Sequence, residues 1–246
     1  MSCEWSWLGR IGYTEARALQ ERIAGEVAIG EHPPTLLLLE HPHTYTLGRR
    51  AKSEHLLWDA TQRAEKGVQA YEVDRGGDIT YHGPGQLVGY PIIPLAPPGW
   101  QEECLPQADF IDYIRKLERL IIRSLADYGI IAGALAGKTG VWVSPDATGA
   151  CASWDAQAQS VNKIASIGVK IDVYGVTRHG FALNIDPDDT YWRGIVPCGL
   201  ENVNMVSMAD YLANPPPLPN LAESLANHFG YIFDYKMTQN STPAAN

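Results

Sequence analysis

The spacing of apolar and polar residues divides this chain into alternating helices and strands. Leu19, Ile23 and Val27 recur at helical spacing and predict a helix over 14–29. Residues 35–40 follow two prolines and contain four consecutive leucines, which predicts a strand buried on both faces. The first 40 residues are therefore predicted to form a helix followed by a buried strand.

A longer apolar stripe predicts a second helix over 107–128, which Gly129 ends. The stripe consists of Phe110, Ile114, Leu117, Ile121 and Leu125. The opposite face carries Arg115, Arg119 and Arg123. A last amphipathic helix is predicted over 219–229. The remaining predicted strands lie at 68–73, 87–92, 139–143, 162–173 and 180–185.

This interleaving of helices and strands indicates an α/β (α+β) fold with a mixed β-sheet flanked by helices. We predict a single domain over residues 1–235. Residues 236–246 are polar and are predicted to form a disordered tail. Residues 144–160 have a turn-like composition without a clear period, and we predict that they form a long surface loop.

One basic residue of the predicted strand at 162–173 falls among apolar positions. The odd positions of this strand are Ala165, Ile167, Val169, Ile171 and Val173. Strict alternation places Lys163 on the same side, where its charge is costly unless an anion meets it or the amine loses its proton. The alternative is that Lys163 lies at the strand end and extends to water. A bulge at Gly168 would reset the alternation.

Cys198 supplies an anion for that lysine. A thiol is mostly protonated at neutral pH, and a nearby ammonium group stabilises the thiolate. Pro197 and Gly199 flank Cys198 and predict that the sulfur is exposed on a turn. The alternative is a buried structural cysteine, which is the common fate of a free thiol. Cys3, Cys104 and Cys151 show no metal-type spacing, and we assign them no chemical role.

The glycine-rich segment 75–86 favours the chemical interpretation of Cys198. We predict that this segment forms a turn between the strands at 68–73 and 87–92. Its glycines allow close approach of the backbone to a ligand. Its polar side chains are suited to orienting a carbonyl or lining a pocket, and they are Arg75, Thr80, Tyr81 and His82. The thiol, the lysine and this segment together predict an acyl-transfer site.

Charge and composition limit the partners and the compartment. The net charge of −9 argues against nonspecific nucleic-acid binding, which needs basic residues to neutralise phosphates. No apolar run approaches the ~20 residues that cross a bilayer, and the first residues do not resemble a signal peptide. We therefore expect a cytoplasmic protein that uses neither a membrane nor a nucleic acid, with its thiols reduced.

Three short motifs fail the tests for nucleotide or metal sites. The glycines of 83–89 do not have dinucleotide spacing and lack a following helix. Residues 133–139 resemble a phosphate-binding loop but are one residue short and follow a helix rather than a strand. His41 and His43 flank a proline with no partner ligand in the sequence. We therefore predict no cofactor and no metal.

Several segments in series resemble the lipoyl(octanoyl) transferases, a family that makes protein-bound octanoate for lipoate synthesis. The matching segments are 40–49 (EHPHTYTLGR), 75–86 (RGGDITYHGPGQ), 140–143 (GVWV), 163–168 (KIASIG), 179–184 (HGFALN) and 196–199 (VPCG). They occur in the family's order over residues of about 36–200. The resemblance implies the fold of the biotin and lipoate ligase catalytic domains.

The resemblance also implies a role for each site residue. Cys198 would be the nucleophile that takes octanoate from acyl carrier protein as a thioester, and Lys163 would lower the pKa of its thiol. The residues implied to line the acyl pocket are Arg75, Gly76, Gly77, Asp78, Ile79, Thr80, Tyr81, His82, Ser166, Ile167, Gly168, Gly180, Phe181 and Ala182. The backbone amides near Cys198 or of Gly76 and Gly77 are the expected donors to an oxyanion.

The implied second half-reaction passes the octanoyl group to a lysine amine. The acceptors would be the lipoyl domains of 2-oxoacid dehydrogenase complexes and the glycine cleavage H protein, and the enzyme would act as a monomer. Conversion of a thioester to an amide is downhill, so no nucleotide is needed. Because acyl carrier proteins are acidic, we expect a basic docking patch at Arg49, Arg50 and Lys52. The arginine face of 107–128 is a second candidate, although an ordinary solvated helix face is the preferred explanation for it.

Three alternatives remain open at this point. An ATP-dependent lipoate or biotin ligase would have the same fold, with Lys163 binding the adenylate phosphate, but it needs no nucleophilic thiol. A cysteine hydrolase would use Cys198 with His179 and Asn184, yet no helix opens at the cysteine. A non-catalytic acyl-binding module would keep its activity without the Cys198 thiol.

Overall fold

The computed structural model describes residues 1–96, 107–144, 152–155, 161–200 and 203–240. Its α-helices are α1 (Tyr13–Ala28), α2 (Ala60–Glu65), α3 (Gln107–Ala126) and α4 (Leu218–Phe233). Its strands are β1 (Ser2–Arg10), β2 (Thr35–Glu40), β3 (Thr44–Leu47), β4 (Gln69–Glu72), β5 (Ile79–His82), β6 (Gln86–Ile92), β7 (Ala132–Leu135), β8 (Lys138–Val143), β9 (Ala152–Trp154), β10 (Asn162–Ile171), β11 (Thr177–Asn184) and β12 (Lys236–Gln239).

The described strands form two sheets. Nine of them make one mixed sheet in the order β12-β1-β2-β6-β11-β10-β8-β7-β9. β1 pairs in parallel with both of its neighbours, β12 and β2, and β7 pairs in parallel with β9. All the other neighbouring strands of this sheet pair antiparallel. A small sheet, β4-β3-β5, carries the glycine-rich segment. The predicted class, a mixed sheet flanked by helices, is confirmed.

The four leucines of β2 show how the layers pack. Leu36 and Leu38 face a core that includes residues of α3 and α4, and Leu37 and Leu39 face a core that includes residues of α1. Successive side chains of a strand point to opposite faces, so a run of leucines is favourable only where both faces are covered. The prediction of burial on both faces is confirmed.

The helices agree with their apolar stripes except at one end. Leu117, Ile121 and Leu125 of α3 are buried, and Ile114 packs partly against the same core. Phe110 was expected to continue this stripe, but its exposed fraction is 40%. The stripe therefore makes its contacts with the sheet from the second turn of the helix onward.

Two segments expected to lack regular structure contain strands. Residues 236–239 form β12, which pairs in parallel with β1, so the predicted domain end at 235 and the start of the tail at 236 are wrong. Residues 241–246 of that tail lie outside the described residues. Ala152–Trp154, inside the predicted loop 144–160, form β9 and pair with β7, whereas 145–151 and 156–160 are outside the described residues.

The glycine-rich segment 75–86 is not one turn. Its middle forms β5, which pairs antiparallel with β3, and tight loops flank this strand on both sides. This small sheet places the first loop over one end of β10. Among the described residues, no helix is long and apolar enough to cross a membrane.

Candidate active site

Cys198 occupies a strained turn. It lies in a short 3₁₀ turn, Pro197–Gly199, and its own φ of 56° is in the left-handed region that side chains disfavour. The turn is fastened at its start, because the Val196 N–H donates to the His55 carbonyl at 2.8 Å. Residues held in such a conformation cluster at functional sites, where the surrounding structure maintains the strain.

Lys163 reaches the sulfur of Cys198 from β10. Its Nζ lies 3.3 Å from Cys198 Sγ, and Ser166 Oγ lies 3.8 Å from the same atom. The Lys163 side chain is almost fully buried, with an exposed fraction of 3%. The interpretation in which Lys163 extends to water is therefore wrong, and the anion expected to meet it is Cys198.

The two β10 residues that meet Cys198 correct the simple alternation argument. Lys163 and Ser166 are three positions apart, so a regular strand would direct them to opposite faces. The pairing of β10 with β8 shifts register between Lys163 and Ala165, which resets the alternation. Gly168, where a bulge was considered, instead pairs regularly with Gly180 of β11.

The surroundings of Cys198 favour its thiolate. Burial raises the pKa of the Cys198 thiol, but this effect is outweighed. The positive charge of Lys163 acts against it most strongly, followed by hydrogen bonds from Ser166 and Lys163. The charge of Arg75 adds to these, and the net result is a pKa of Cys198 below its ordinary value. The site therefore presents an activated nucleophile.

Close backbone packing positions Lys163. A side chain at Gly140 would place its Cβ 2.6 Å from Lys163 Cε, so only glycine leaves room for the lysine at that point of β8. The Lys163 ammonium also lies 5.4 Å from the centre of the Trp142 ring, where the ring face attracts a cation. The backbone of Lys163 bonds to the carbonyl of Asn204 and the N–H of Val206.

Arg75 is buried and held by the small sheet. Its Nη2 donates to the carbonyl and the hydroxyl of Thr46, at 2.7 and 2.9 Å. Gly48 and Gly168 leave space for it, because a Cβ at Gly48 would lie 2.7 Å from Arg75 Nη1 and one at Gly168 would lie 3.0 Å from Arg75 Cδ. The N–H of Gly76 donates to the Val169 carbonyl of β10 at 2.9 Å, which joins this loop to the strand that carries Lys163.

A buried polar chain runs behind Arg75. Thr46 Oγ1 lies 3.3 Å from His82 Nε2, and His82 Nδ1 lies 2.9 Å from Gln86 Oε1. Gln86 donates to Asn184, which in turn donates to the carbonyl of Val206. Desolvation by burial lowers the pKa of His82 well below its ordinary value, so this imidazole is neutral. The chain therefore stabilises the architecture rather than supplying protons.

A second polar cluster lies where β10 and β11 pass the loop before Arg75. The Asp74 carboxylate contacts Lys170, Arg178 at 3.2 Å and His179 Nε2 at 2.8 Å. The hydrogen bond from His179 is the largest effect on the pKa of Asp74; burial opposes it and the bond from Lys170 reinforces it, leaving that pKa well below its ordinary value. Among the described residues, neither His179 nor Asn184 contacts Cys198. The arrangement of a cysteine hydrolase is therefore not formed.

These elements enclose one pocket of about 930 Å³. The sequence-predicted site residues that line it are Arg75, Gly77, Asp78, Thr80, His82, Lys163, Ser166, Ile167, Gly168, Gly180, Phe181, Ala182 and Cys198. Gly76, Ile79 and Tyr81 do not line it, which corrects the expectation that the whole run 75–82 does so. Ile79 and Tyr81 point into the core beneath the small sheet, as alternation along β5 requires.

Two of the expected oxyanion donors are already used. The Gly76 N–H donates to Val169, as described above, and the Gly199 N–H donates to the Val196 carbonyl at 3.1 Å. These two amides are therefore not available to stabilise an oxyanion on a substrate. Of the two glycine amides expected as donors in the loop after Arg75, that of Gly77 remains.

Sequence reasoning missed His55, Tyr13 and Tyr90, which also line the pocket. His55 Nδ1 lies 2.7 Å from Asp78 Oδ2, beside the cysteine turn. The three residues come from a 3₁₀ turn, from α1 and from β6, far apart along the chain. No local sequence signal links them, because only the tertiary fold brings them together.

The pocket mouth is partly basic. Arg50, Lys52 and Lys138 line it, and Arg50 and Lys52 are exposed. Arg49, also expected in the docking patch, is exposed but does not line the pocket. The arginines of α3 are engaged elsewhere: Arg115 pairs with Glu118, Arg119 with Asp112, and Arg123 lies over the ring of Tyr231. Within the described residues, no group of three potential metal ligands occurs.

Comparison with known proteins identifies similar chains. The family model for the lipoyl protein ligase A/B catalytic domain matches residues 12–230. An octanoyltransferase of Chloroflexus aurantiacus is 42% identical over 227 residues, covering 92% of each chain. An octanoyltransferase of Solibacter usitatus is 42% identical over 246 residues, covering 99% of each chain.

Solved structures show the same fold at low sequence identity. A bi-partite lipoate protein ligase from Thermoplasma acidophilum superposes with a TM-score of 0.72 at 15% identity, covering 99% of this chain and 88% of that one. A lipoate-protein ligase A bound with ATP gives a TM-score of 0.71 at 12% identity, with 99% and 90% of the two chains covered. The expected likeness to the lipoate ligase fold is confirmed.

Proposed function

This chain belongs to the lipoyl protein ligase A/B catalytic-domain family and is an octanoyltransferase of lipoate biosynthesis, and from this premise we propose that Cys198 carries the octanoyl group as a thioester between donor and acceptor. The observation that supports this route is the pairing of Cys198 Sγ with Lys163 Nζ at 3.3 Å inside the pocket. A thiol with a lowered pKa is of use to a covalent relay, whereas a ligase that activates its substrate with ATP does not need one.

In the first half-reaction, the Cys198 thiolate attacks the carbonyl carbon of a carrier-bound octanoyl thioester. The new C–S bond forms to Cys198 and the bond to the carrier sulfur breaks. The carrier leaves as a thiol after taking a proton from the Lys163 ammonium, the hydrogen-bond donor nearest the reacting sulfur. The enzyme is then an octanoyl thioester with a neutral lysine beside it.

In the second half-reaction, a lysine amine of the acceptor attacks that thioester. A C–N bond forms, the bond to Cys198 breaks, and Lys163 takes up a proton from the attacking nitrogen. The ion pair of Lys163 and Cys198 is thereby restored. Exchange of a thioester for an amide is downhill, so the cycle requires no nucleotide and no metal.

The pocket residues would bind the acyl chain and its carbonyl. One wall of the pocket is made by Gly168 of β10 and by Gly180, Phe181 and Ala182 of β11. Small residues leave room for a chain and Phe181 supplies an apolar surface. Arg75, buried behind this wall, would hold the loop of Gly77 in place through its bonds to Thr46.

The proposed donor is octanoyl-acyl carrier protein, and the proposed acceptors are lipoyl domains of 2-oxoacid dehydrogenase complexes and the glycine cleavage H protein. The exposed Arg50 and Lys52 at the pocket mouth are suited to an acidic carrier, and Arg49 adjoins them. Action as a monomer in the cytoplasm stays a prediction.

Transfer without ATP tests this function. The chain is mixed with octanoyl-acyl carrier protein and a lipoyl domain, and octanoylation of the domain is followed by mass spectrometry. We expect octanoylation without ATP, and its loss in Cys198→Ala. Octanoylation that requires ATP and free octanoate, and that survives in Cys198→Ala, would contradict the proposal and identify a ligase.

A further inference from the structure

Amide formation by this route leaves one proton without an acceptor. A lysine of the acceptor protein arrives mostly as an ammonium ion, and its nitrogen must lose two protons to become an amide N–H. Lys163, having given its own proton to the departing carrier, can take up one of them. The other needs an acceptor as well, and a second base that borders the pocket is placed to take it. This reasoning rests on the function proposed above.

His55 and Asp78 form a pair beside the reacting sulfur. His55 Nδ1 lies 2.7 Å from Asp78 Oδ2, and both side chains are nearly buried while lining the pocket. Both lie against Gly199, the residue after the nucleophile: a Cβ there would be 2.7 Å from Asp78 Oδ2 and 3.0 Å from His55 Cε1. Only glycine lets the pair approach the cysteine turn this closely.

The carboxylate fixes the orientation of the imidazole. Asp78 also accepts from the Ile79 N–H at 2.7 Å, so its own position is set. A carboxylate bound to one ring nitrogen selects the tautomer that leaves the other nitrogen as an acceptor. Across the described residues, Nε2 of His55 has no hydrogen-bond partner, and no cation contacts Asp78.

The other imidazoles of the pocket are less suitable. Both ring nitrogens of His82 have partners inside the protein, Thr46 and Gln86. His179 lies beside Asp74, whose charge is already shared with Lys170 and Arg178. Nε2 of His179 is thereby occupied, and among the described residues no hydrogen bond joins His179 to Cys198 or its turn.

We propose that His55, oriented by Asp78, is the general base that takes the first proton from the incoming lysine ammonium. The neutral amine then attacks the Cys198 thioester, its C–N bond forms as the C–S bond breaks, and its second proton passes to Lys163. His55 releases its proton to solvent through the pocket mouth, which matches the one proton that the overall reaction sets free. The charged groups near this mouth include Glu54 and the basic residues Arg50, Lys52 and Lys138.

The test separates loading from discharge of the acyl-enzyme. Native chain, His55→Gln and His228→Gln are loaded with octanoyl-acyl carrier protein, and the adduct is then discharged by a lipoyl domain or by hydroxylamine at neutral pH. His228 is a matched control because it pairs with Asp127 at 2.7 Å on the outer surface. Hydroxylamine is unprotonated at this pH and needs no base.

We expect His55→Gln to load, to discharge to the lipoyl domain about 100-fold more slowly, and to discharge to hydroxylamine at the native rate. The ratio of interest is the discharge rate to the lipoyl domain divided by the discharge rate to hydroxylamine. Asp78→Asn should lower this ratio less strongly than His55→Gln does, and His228→Gln should leave it unchanged. Equal slowing with both nucleophiles would overturn the proposal in favour of a purely structural pair, and unchanged discharge to the lipoyl domain would also overturn it. If the native chain forms no adduct, the thioester route itself fails, and the role of His55 fails with it.

Discussion

The Cys198 thiol lies where burial alone would keep it protonated. Its pKa is nevertheless lowered, because the charge of Lys163 is held 3.3 Å away and cannot move into water. Gly140 and the ring of Trp142 confine the lysine side chain. At the scale of single residues, the nucleophile is therefore activated mainly by one fixed cation.

Replacement of that cation should raise the pKa of the thiol. In Lys163→Met, we expect the midpoint of the alkylation rate of Cys198 against pH to move up by about 1–3 pH units. Iodoacetamide labelling followed by mass spectrometry measures it. Lys116→Met on the outer face of α3, where Lys116 pairs with Asp112, is the control. An unchanged profile in Lys163→Met would refute the pairing.

The pairing of Cys198 with Lys163 was predictable from the sequence, but its geometry was not. The resemblance and the chemistry of a thiol and an amine brought the two residues together. The alternation argument then placed Lys163 opposite Ser166, because a shift of register between β8 and β10 leaves no mark in the residue pattern. His55 was missed for a similar reason, since its partner Asp78 is distant in the sequence and adjacent only in the fold.

The space kept by Gly48 provides a second test at this scale. A Cβ in Gly48→Ala would lie 2.4 Å from the Gly77 carbonyl oxygen and would displace Arg75. We expect stability to fall by about 1–3 kcal/mol and transfer activity to fall with it. Chemical denaturation and the octanoylation assay measure the two effects.

The control for that substitution is Gly25→Ala in α1, where an added Cβ meets nothing within 4 Å. There we expect a gain of roughly 0.5–1 kcal/mol, because alanine favours a helix over glycine. If Gly48→Ala were as stable and as active as the native chain, the close packing around Arg75 would be irrelevant to the site.

At the scale of elements, Asp74 fastens the loop before Arg75 to β10 and β11. It does so through Lys170 of β10 and through Arg178 and His179 of β11. The pocket wall formed by these strands and the loop over it are thereby held in register. We call these three contacts the Asp74 clasp, and Asp74 itself does not line the pocket.

Removal of the Asp74 charge should loosen the clasp. For Asp74→Asn we expect a loss of about 1–3 kcal/mol of unfolding free energy, toward the lower value because Asp74 is partly exposed. Asp112→Asn, which removes the surface ion pairs with Lys116 and Arg119 on α3, should change stability by less than about 0.5 kcal/mol. Equal stability of Asp74→Asn and the native chain would show that the clasp contributes nothing.

The sign of the pH dependence follows from the lowered pKa of Asp74. The native chain should exceed Asp74→Asn in unfolding free energy by the full amount above the pKa of an unfolded aspartate, ~3.9. This difference in stability should diminish as the pH falls below that value. Thermal unfolding of both proteins from neutral pH downward measures it. An advantage that grew on acidification would contradict the assignment.

The elements with a strong apolar pattern were predictable, and the edges of the sheet were not. The stripes of α1, α3 and α4 and the leucines of β2 follow directly from their periods. Strand β12 is short and polar, with exposed side chains at Lys236, Thr238 and Gln239, so it has no pattern of its own. It exists because β1 offers it a row of hydrogen-bonding groups, which is a property of the assembled sheet.

At the scale of the whole molecule, the first and last described strands pair with each other. β12 pairs with β1, Met237 packs against the core that includes α3 and α4, and the Ser6 hydroxyl donates to the Asn240 carbonyl at 3.0 Å. Residues 236–239 therefore extend the main sheet by one strand beyond β1. The prediction that a disordered tail begins at residue 236 is incompatible with this arrangement of 236–240.

Truncation distinguishes the two views. A chain ending at residue 235 should lose roughly 2 kcal/mol or more of unfolding free energy relative to one ending at 240, because it gives up the strand pairing and the burial of Met237. Chemical denaturation of both chains compares them. Equal stability of the two chains would show that residues 236–240 contribute nothing to folding.

The active site is also a property of the whole fold. Its residues come from the small sheet, from β10 and β11 and from the turn at Cys198, and each segment is recognisable in the sequence as a separate block. The sequence indicated the chemistry because those blocks together are specific to one family. It did not indicate which side chains of each block face the pocket, since that depends on register and on packing between the two sheets.

The central claim is that Cys198 carries the octanoyl group, and the mass of the intact protein tests it most directly. The native chain, Cys198→Ala and Cys3→Ala are each mixed with octanoyl-acyl carrier protein without ATP, metal or acceptor. Cys3 is a fully buried free thiol that does not line the pocket, and it serves as the matched control. We predict one octanoyl adduct on the native chain and on Cys3→Ala, none on Cys198→Ala, and loss of the adduct when a lipoyl domain is added. Octanoylation of the lipoyl domain by Cys198→Ala at the native rate, with no adduct on any of the three proteins, would contradict the claim.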